Sequence, residues 1–396
     1  MLKITFICCG FCMLLACSAQ KESPGSRGMQ NLTAKYNYLY NAGLLLKNYE
    51  ANLNDSYTTN FQQLLPLHLS AASGTGNSAD LDLLISKAQT IISRKSDSKY
   101  IADAYLLLSK AYFLKGNYFL AKEYAAYVVK TYPKVLHLYI QGLDGTALNL
   151  MKLDQPTLAA PYLDTLKLNL QKAKKQKASP LATLAQNAID GHDFQSATTY
   201  LEKALKERPE KAQQYRWTYI LAQLFEQEKH YQQALYFYKK VEKSNAPFDL
   251  YFNALLSRFR LYGLLGQKDL DERKPILALL KEDKSMEFRD QLYDRLAQIE
   301  EAKADYDAAE KYNQLALQSN HQNKYQQGIS YLRLADLQFQ HFKDYYRATL
   351  YYDSALNTLP KHYPDYAQVR QKANDLSYLN ERYATIALEE ELQNPK

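Results

Sequence analysis

Histidine is the side chain best suited to acid–base or metal chemistry near neutral pH, and this chain of 396 residues has seven. Local metal-binding and catalytic motifs place a histidine at a short fixed interval from a second ligand, as in His-Glu-x-x-His. Each histidine here stands without such a partner: His68, His137, His192, His230, His321, His341 and His362. Their isolation predicts no catalytic histidine and no metal site, and His192 and His230 fall where turns between helices are expected.

Three other patterns could carry chemistry, and each has a plainer interpretation. Glu300-Glu301 and the acidic run at 389–391 lie in helical or tail contexts, where solvated charge is the ordinary role. Gly74-Thr-Gly76 lacks the Gly-Lys-Ser/Thr and the preceding strand of a phosphate loop. No Gly-x-Ser-x-Gly elbow occurs. We therefore expect a protein that is not an enzyme and that takes no cofactor and no small-molecule substrate.

The amino terminus has the pattern of a processed leader. Lys3 precedes an apolar stretch at 4–15, which is shorter than the roughly 20 residues that span a bilayer. The stretch ends in Leu-Leu-Ala-Cys17, which resembles the lipobox of bacterial lipoproteins. That resemblance implies that residues 1–16 are a signal peptide and that Cys17 is lipidated. The alternative is an ordinary secretory peptide in which the cysteine is incidental.

The cysteine positions bear on the mature chain. All four cysteines lie at 8, 9, 12 and 17, so cleavage and lipidation leave no free thiol, no disulfide and no cysteine metal site. Ser18 follows Cys17 without an acidic cluster, which by resemblance to lipoprotein sorting predicts the outer membrane, with the body facing the periplasm. Residues 17–30 are polar and rich in turn formers, which predicts a flexible tether from the lipid anchor.

Composition favours a folded helical body. The chain is 46% hydrophobic and 23% charged, and it has only 13 glycines and 12 prolines. Tyrosine is abundant, with 35 residues against one Trp, and packing between helical layers is favoured over a specific aromatic surface. The net charge of +7 is scattered, and the lysine cluster at 172–177 fits a solvated connector, with an acidic partner or a phosphate-rich surface as the alternative. No nucleic-acid-reading module is present, so no nucleic-acid partner is expected.

A repeat with a period near 38 residues runs through the chain. Its clearest copy, at 102–133, has its aromatic, Leu-small, Gly, Ala and Pro positions in the order of the tetratricopeptide repeat, which it resembles. These positions are Tyr105, Leu108, Ser109, Tyr112, Gly116, Tyr118, Ala121 and Pro133. Gly116 would separate two helices, and the small Ala121 would let them approach closely.

The alanine of the second helix measures the period. Equivalent alanines are Ala121, Ala159, Ala197, Ala234, Ala309 and Ala348, at intervals of 38, 38, 37, 75 and 39. The interval of 75 is two periods, which predicts a degenerate repeat with helices near 248–265 and 275–284. Ala335 comes one residue early for the last copy, which predicts a lengthened first helix or turn there.

The predicted fold is all-α: a tetratricopeptide-repeat α-solenoid of about seven helical hairpins with extra N-terminal helices. Apolar residues at helical spacing predict an N-terminal helical segment at 31–69, and small residues predict a linker at 70–80. The repeats would fill 81–396, closed by a capping helix at 376–388.

A stack of such hairpins offers a groove lined by its first helices. By resemblance to the repeat family, the inward positions that would bind a partner are Asp103, Leu106, Lys110 and Phe113 in one repeat, and Arg216, Tyr219, Gln223 and Glu226 in another. Such a groove can hold an extended or helical peptide, or another folded subunit.

Four stretches carry a more specific resemblance. Residues 31–43, 57–66, 100–116 and 351–366 are similar to the PorW/SprE lipoproteins, which serve the type IX secretion system of Bacteroidetes. The resemblance implies an outer-membrane scaffold whose partners are envelope proteins, in secretion or gliding machinery. The alternative is a scaffold lipoprotein of another envelope process, such as outer-membrane barrel assembly or polysaccharide export.

Overall fold

A computed structural model describes residues 24–56, 61, 63–70, 78–266, 273–319, 323–361, 363 and 365–393. The predicted signal peptide and Cys17 lie outside these residues. Within them, every regular element is a helix. The chain divides into two compact units, Met1–Arg258 and Phe259–Lys396, with the division inside a helix.

The first unit begins with a nearly continuous helix, followed by a helix that packs on it and then by helical hairpins. The helices are α1 (Pro24–Thr33), which continues through a π-helical turn (Ala34–Leu39) into α2 (Tyr40–Ser56), then α3 (Ser78–Arg94), α4 (Ile101–Leu114), α5 (Tyr118–Thr131), α6 (Leu136–Lys152), α7 (Pro156–Leu170), α8 (Ala178–Asp190), α9 (Phe194–Lys206), α10 (Lys211–Gln227), α11 (Tyr231–Glu242) and α12 (Phe248–Leu264). Helices α4 to α11 form four consecutive hairpins, each packed on the next.

The second unit has the same construction. Its further helices are α13 (Arg273–Leu279), a 3₁₀ turn (Asp283–Phe288), α14 (Arg289–Ala302), α15 (Tyr306–Ser319), α16 (Lys324–Leu337), a π-helical turn (Gln338–Phe342), α17 (Tyr345–Thr358) and α18 (Tyr366–Gln393). Helices α14/α15 and α16/α17 are hairpins, and α18 packs on α17 as the final layer.

The alanines that define the period lie where the paired helices come together. All six second-helix alanines are fully buried, from Ala121 to Ala348. Two glycines of α6, Gly142 and Gly145, let that helix approach α5 closely. A Cβ atom added at Gly142 would lie 2.9 Å from the Val129 side chain. Small side chains at these points let the apolar faces of neighbouring helices interlock. This geometry confirms the predicted all-α repeat fold.

The turns repeat with the same period as the alanines. Residues with left-handed backbone end the first helix of each hairpin: Gly116, Asp154, His192, Lys229, Gly266, Ala304 and Lys343, at intervals of 38, 38, 37, 37, 38 and 39. The intervals of 37 and 38 around Gly266 account for the predicted double period of 75. In four of the hairpins a polar side chain then caps the second helix: Asn117, Asp193, Asp305 and Asp344 each accept a hydrogen bond from the amide three residues later.

Partly exposed polar contacts join neighbouring helices in the second unit. Asp336 of α16 accepts hydrogen bonds from the Tyr352 hydroxyl of α17 and from the Lys372 ammonium of α18, the latter at 2.9 Å. Lys372 also lies over the ring of Tyr352, 4.8 Å from its centre. One carboxylate therefore fixes three successive helices.

Several element boundaries differ from those predicted. The region predicted as a tether, 17–30, is helical from Pro24, because proline suits the first helical position and α1 is held to the α3–α4 turn. The segment predicted as helical at 31–69 is irregular at 63–70, because Pro66 and long-range hydrogen bonds replace helical ones. In the degenerate repeat, the second α-helix ends at Leu279 and a 3₁₀ turn follows.

The early position of Ala335 has a structural cause. The π-helical turn Gln338–Phe342 extends α16 and ends at Lys343, whose left-handed backbone closes the turn. The prediction of a lengthened first helix is therefore confirmed. The capping helix is also longer than its predicted range of 376–388.

Candidate functional site

The first helices α4, α6, α8 and α10 of the first unit line one surface, which we call the groove. The two predicted sets of partner-binding residues lie at different places on it. Asp103, Leu106, Lys110 and Phe113 lie on α4, and Arg216, Tyr219, Gln223 and Glu226 lie on α10.

The α10 end of the groove holds a segment of the chain itself. Residues 63–70, which we call the groove segment, lie in irregular conformation across α10. The side-chain amide of Gln223 donates to the Gln63 carbonyl at 2.8 Å and accepts from the Leu65 amide at 3.0 Å. The Arg216 guanidinium donates to the Pro66 carbonyl at 3.1 Å. The side chains of Gln223 and Arg216 therefore bind the backbone groups of the groove segment.

The same pattern continues across α10 and α8. The indole of Trp217 donates to the Leu67 carbonyl at 3.1 Å, and the Leu67 amide donates to the Gln186 side chain at 2.9 Å. The His68 ring lies 3.2 Å from the Thr183 hydroxyl. An extended peptide offers one donor and one acceptor per residue, and the groove supplies side-chain partners for both kinds.

Apolar contacts bury alternate residues of the groove segment. Leu65 and Leu67 are buried, whereas the residues at 64 and 66 are partly exposed. The ring of Phe61 packs edge-on against Tyr219, whose ring in turn meets Tyr238. Over 64–67 this alternation of buried and partly exposed side chains is typical of an extended peptide bound on one face.

The α4 end of the groove is a cavity of about 750 Å³. Its volume falls in the range of ligand-sized pockets. All four residues of the α4 set border it: Asp103, Leu106 and Lys110 are partly exposed, and Phe113 is buried in a cluster with Tyr49 of α2. The other principal lining residues are Gln141, Asp144, Leu148, Gln176, Ser179, Glu207, Arg208, Glu210 and Gln213.

Asp144 is the most unusual polar group in the cavity. Its side chain is buried, and its Oδ2 atom accepts a hydrogen bond from the Ser179 hydroxyl at 2.8 Å. Its Oδ1 atom has no hydrogen-bond partner among the described residues. Burial raises the pKa of Asp144, and the Thr183 and Ser179 hydroxyls offset part of that rise. A buried carboxyl oxygen without a donor can accept a hydrogen bond from a cationic or amide group.

Other charges around the cavity are partly neutralised by neighbours. Lys110 pairs with Glu50 of α2 at 3.0 Å, and Glu207 pairs with Lys177 at 2.9 Å. Burial also raises the pKa of Asp103. The cavity therefore has an acidic floor, and Lys110, one of its two basic lining residues, is paired with Glu50.

His68 links the groove segment to the cavity, since its ring borders the cavity. Burial lowers its pKa to about 3, and the nearby cations of Lys110 and Lys152 act in the same direction. The ring is therefore neutral at physiological pH.

The four predicted partner-binding residues on α10 contact other parts of this chain. Arg216, Tyr219 and Gln223 are buried against this chain's own residues, and Glu226 accepts a hydrogen bond from the Tyr238 hydroxyl at 3.1 Å. Sequence reasoning did not anticipate that the occupant would be internal. Partner binding at the eight residues stays a prediction.

The repeat period of 37 to 38 residues could have identified groove residues that the sequence analysis did not name. Adding 38 to Leu106 gives Asp144, and adding 38 twice to Lys110 gives Leu148 and then Gln186. A further 37 gives Gln223. The periodicity therefore identifies one line of inward positions across all four first helices.

Among the residues that the structure describes, no group of three or more His, Cys, Asp or Glu side chains is arranged to hold a metal ion. None of the described helices combines the length and the apolar character needed to cross a membrane.

Solved structures that are similar to this chain include the following three. A tetratricopeptide repeat protein from Parabacteroides merdae gives a TM-score of 0.49 at 15% identity, covering 69% of this chain and 98% of its own. The Cut9–Hcn1 hetero-tetramer of the APC/C gives 0.38 at 15% identity, covering 90% and 70%. The TPR domain of P58(IPK) gives 0.22 at 14% identity, covering 86% and 99%.

No protein-family model and no curated protein matches the chain. Its class therefore follows from the repeat geometry itself: it is an α-solenoid of tetratricopeptide-like hairpins with a peptide-holding groove.

Proposed function

We propose that this chain is a lipid-anchored scaffold of the bacterial envelope, which binds an extended segment of a partner protein in the groove of its first unit. The observation that carries the proposal is the groove segment. Gln223, Arg216, Trp217 and Gln186 hold it by its backbone, which is how a groove accepts an extended chain of varied sequence.

The partner would occupy the cavity at the α4 end. Asp144 presents a buried carboxylate oxygen without a donor, and Asp103 adds a second acidic group. A lysine or arginine side chain of the partner would supply the missing donors. Leu106 and Leu148 would contact an apolar neighbour of that basic residue.

Anchoring and process are further parts of the proposal. The lipobox-like sequence before Cys17 supports attachment to the outer membrane, with the body in the periplasm. The resemblance of four stretches to the PorW/SprE lipoproteins supports a role in type IX secretion and gliding. The expected partners are envelope components of that machinery.

Site-specific photocrosslinking tests the binding surface. A photoreactive residue at Leu106 should give adducts with envelope proteins in native membranes, and Asp144→Asn should reduce their yield. The control position is Tyr236, which is 62% exposed on α11. Identical adduct patterns at the two positions would contradict the groove as the binding surface.

Deletion of the gene tests the process. Loss of secreted cargo with intact outer-membrane barrels and capsule is expected. Loss of barrels or of capsule with normal cargo secretion would point to another envelope process. Membrane fractionation of Cys17→Ser, which should release the protein from the membrane, tests the anchor separately.

A further inference from the structure

An unpaired apolar stripe runs along the outer face of the N-terminal helix. It consists of Met29, Leu32, Tyr36, Tyr40 and Leu44, whose side chains are between 46 and 62% exposed. The opposite face is buried: Ala34 and Ala42 pack into the core formed with α3 and α4. A large apolar surface on an otherwise packed helix marks an interaction site.

The π-helical turn keeps this stripe on one face. Steps of four residues overshoot an α-helical turn by about 40° each, so Leu32 and Leu44 would differ by about 120° in an unbroken α-helix. The π-helical turn Ala34–Leu39 lies between them and winds less per residue, which counters the drift. The stripe is therefore straighter than an α-helix would make it.

Polar contacts fix the rotation of the helix about its axis. Gln30 exchanges two hydrogen bonds with Asp97, at 3.1 and 3.2 Å. Asn31 accepts from the Lys99 amide at 2.9 Å. Because the α3–α4 turn grips these two residues, Met29 and Leu32 are held outward.

The part of the helix that carries the stripe has only positive charges. Between Pro24 and Tyr49 the chain has Arg27, Lys35 and Lys47, all exposed, and no Asp or Glu. Lys35 lies over the ring of Tyr36, 5.0 Å from its centre. Apolar side chains with tyrosine hydroxyls and flanking cations suit the headgroup region of an anionic bilayer.

We infer that this stripe is a membrane-contact surface for anionic phospholipid. The inference rests on the proposed lipid anchor, because Cys17 lies 7 residues before Pro24 (24 less 17), where α1 begins, and Met29 follows five helical residues later. At about 3.5 Å per extended residue and about 1.5 Å per helical residue, a lipid at Cys17 would hold the first residue of the stripe within about 30 Å of the bilayer surface. A second copy is the less suitable occupant, since a symmetric pairing would bring like charges together.

Vesicle co-sedimentation tests the inference without the lipid anchor. The full mature chain carrying Cys17→Ser should sediment with vesicles of phosphatidylethanolamine and phosphatidylglycerol, and less with phosphatidylcholine. Replacing Tyr36, Tyr40 and Leu44 by Ser should weaken binding about tenfold or more. The matched control replaces three equally exposed residues elsewhere by Ser: Leu158, Leu168 and Tyr236.

Each outcome decides the inference. A loss confined to the stripe variant, with unchanged circular dichroism, would support it. No vesicle binding by the parent, equal losses in both variants, or stripe-dependent self-association without vesicles would overturn it. Fractionation of the lipidated chain is a separate readout: if Cys17 still anchors the protein while vesicle binding is absent, the anchor stands and the stripe inference fails.

Discussion

The indole nitrogen of Trp217 donates a 3.1 Å hydrogen bond to the carbonyl oxygen of Leu67, 150 residues earlier in the chain. Trp217 is fully buried beneath the groove segment. It is also the one tryptophan of the sequence, so tryptophan emission reports on the surroundings of this single position. Docking of the groove segment can therefore be followed without a label.

Gln223→Leu should loosen the groove segment. The leucine removes the side-chain hydrogen bonds of Gln223 to the backbone of Gln63 and Leu65, and it leaves the buried Leu65 amide without an acceptor. This loss should lower the free energy of unfolding by about 1–3 kcal/mol. Trp217 emission should shift to longer wavelength. Gln227→Leu, on an exposed position of the same helix, is the control. A parental spectrum and stability for Gln223→Leu would contradict this contact.

His68 should make docking sensitive to acid. Its pKa falls from 6.5 to about 3 in the folded protein, so the unfolded chain binds more protons between these values. Stability from the neutral ring is therefore present above pH 6.5 and is lost as the pH falls toward 3. His68→Asn should remove this part of the pH dependence of thermal unfolding.

The His68 comparison needs a histidine that lies in an exposed turn. His192→Asn serves this purpose, because its left-handed backbone also tolerates asparagine. Buried acids contribute equally to all three proteins and cancel in the differences. Identical pH profiles for parent and His68→Asn would show that the ring is not buried as described.

Asp144→Asn should stabilise the protein at neutral pH. Burial raises the pKa of Asp144 above its unfolded value of 3.8, so its favourable contribution is complete below that value and is lost as the pH rises through the folded pKa. The amide removes the cost of a buried charge. Chemical denaturation at acidic and neutral pH should show a gain in stability that appears only at neutral pH. A loss at neutral pH would contradict the unpaired state of Oδ1.

How far the sequence predicts this fold depends on the range of the interactions. Ala121 and Ala348 were identified by period, and both are fully buried, because helical pairing is a local property that repeats with the sequence. The early Ala335 likewise predicted a lengthened element. Periodicity could not predict the groove segment, since Leu65 and Leu67 are held by side chains 119 to 158 residues away.

The candidate site was predicted in part for the same reason. The repeat period identifies inward positions such as Asp103 and Gln223, but it does not indicate whether a partner or the chain itself covers them. Whether Asp144 has a donor depends on how α6 and α8 approach each other, which no single helix encodes. The sequence therefore predicts the surface, and the three-dimensional structure identifies its occupant.

Ala304→Gly should stabilise the second unit. Ala304 has a φ of 61° at the position where Gly116 ends the corresponding helix. A left-handed alanine costs about 1 kcal/mol or more, which glycine relieves. The reverse effect is expected at Ala308 in helical backbone, where glycine should cost about 0.5–1 kcal/mol. Thermal unfolding of the two variants should shift in opposite directions, and shifts of the same sign would contradict the turn assignment.

Amide hydrogen exchange across residues 63–70 tests the central claim most directly. The Leu65 and Leu67 amides donate to Gln223 and Gln186, so they should exchange far more slowly than an unstructured peptide, and Gln223→Leu should release Leu65 first. Exchange of both amides at the rate of an unprotected chain, in the folded parent protein, would show that the groove does not hold this segment.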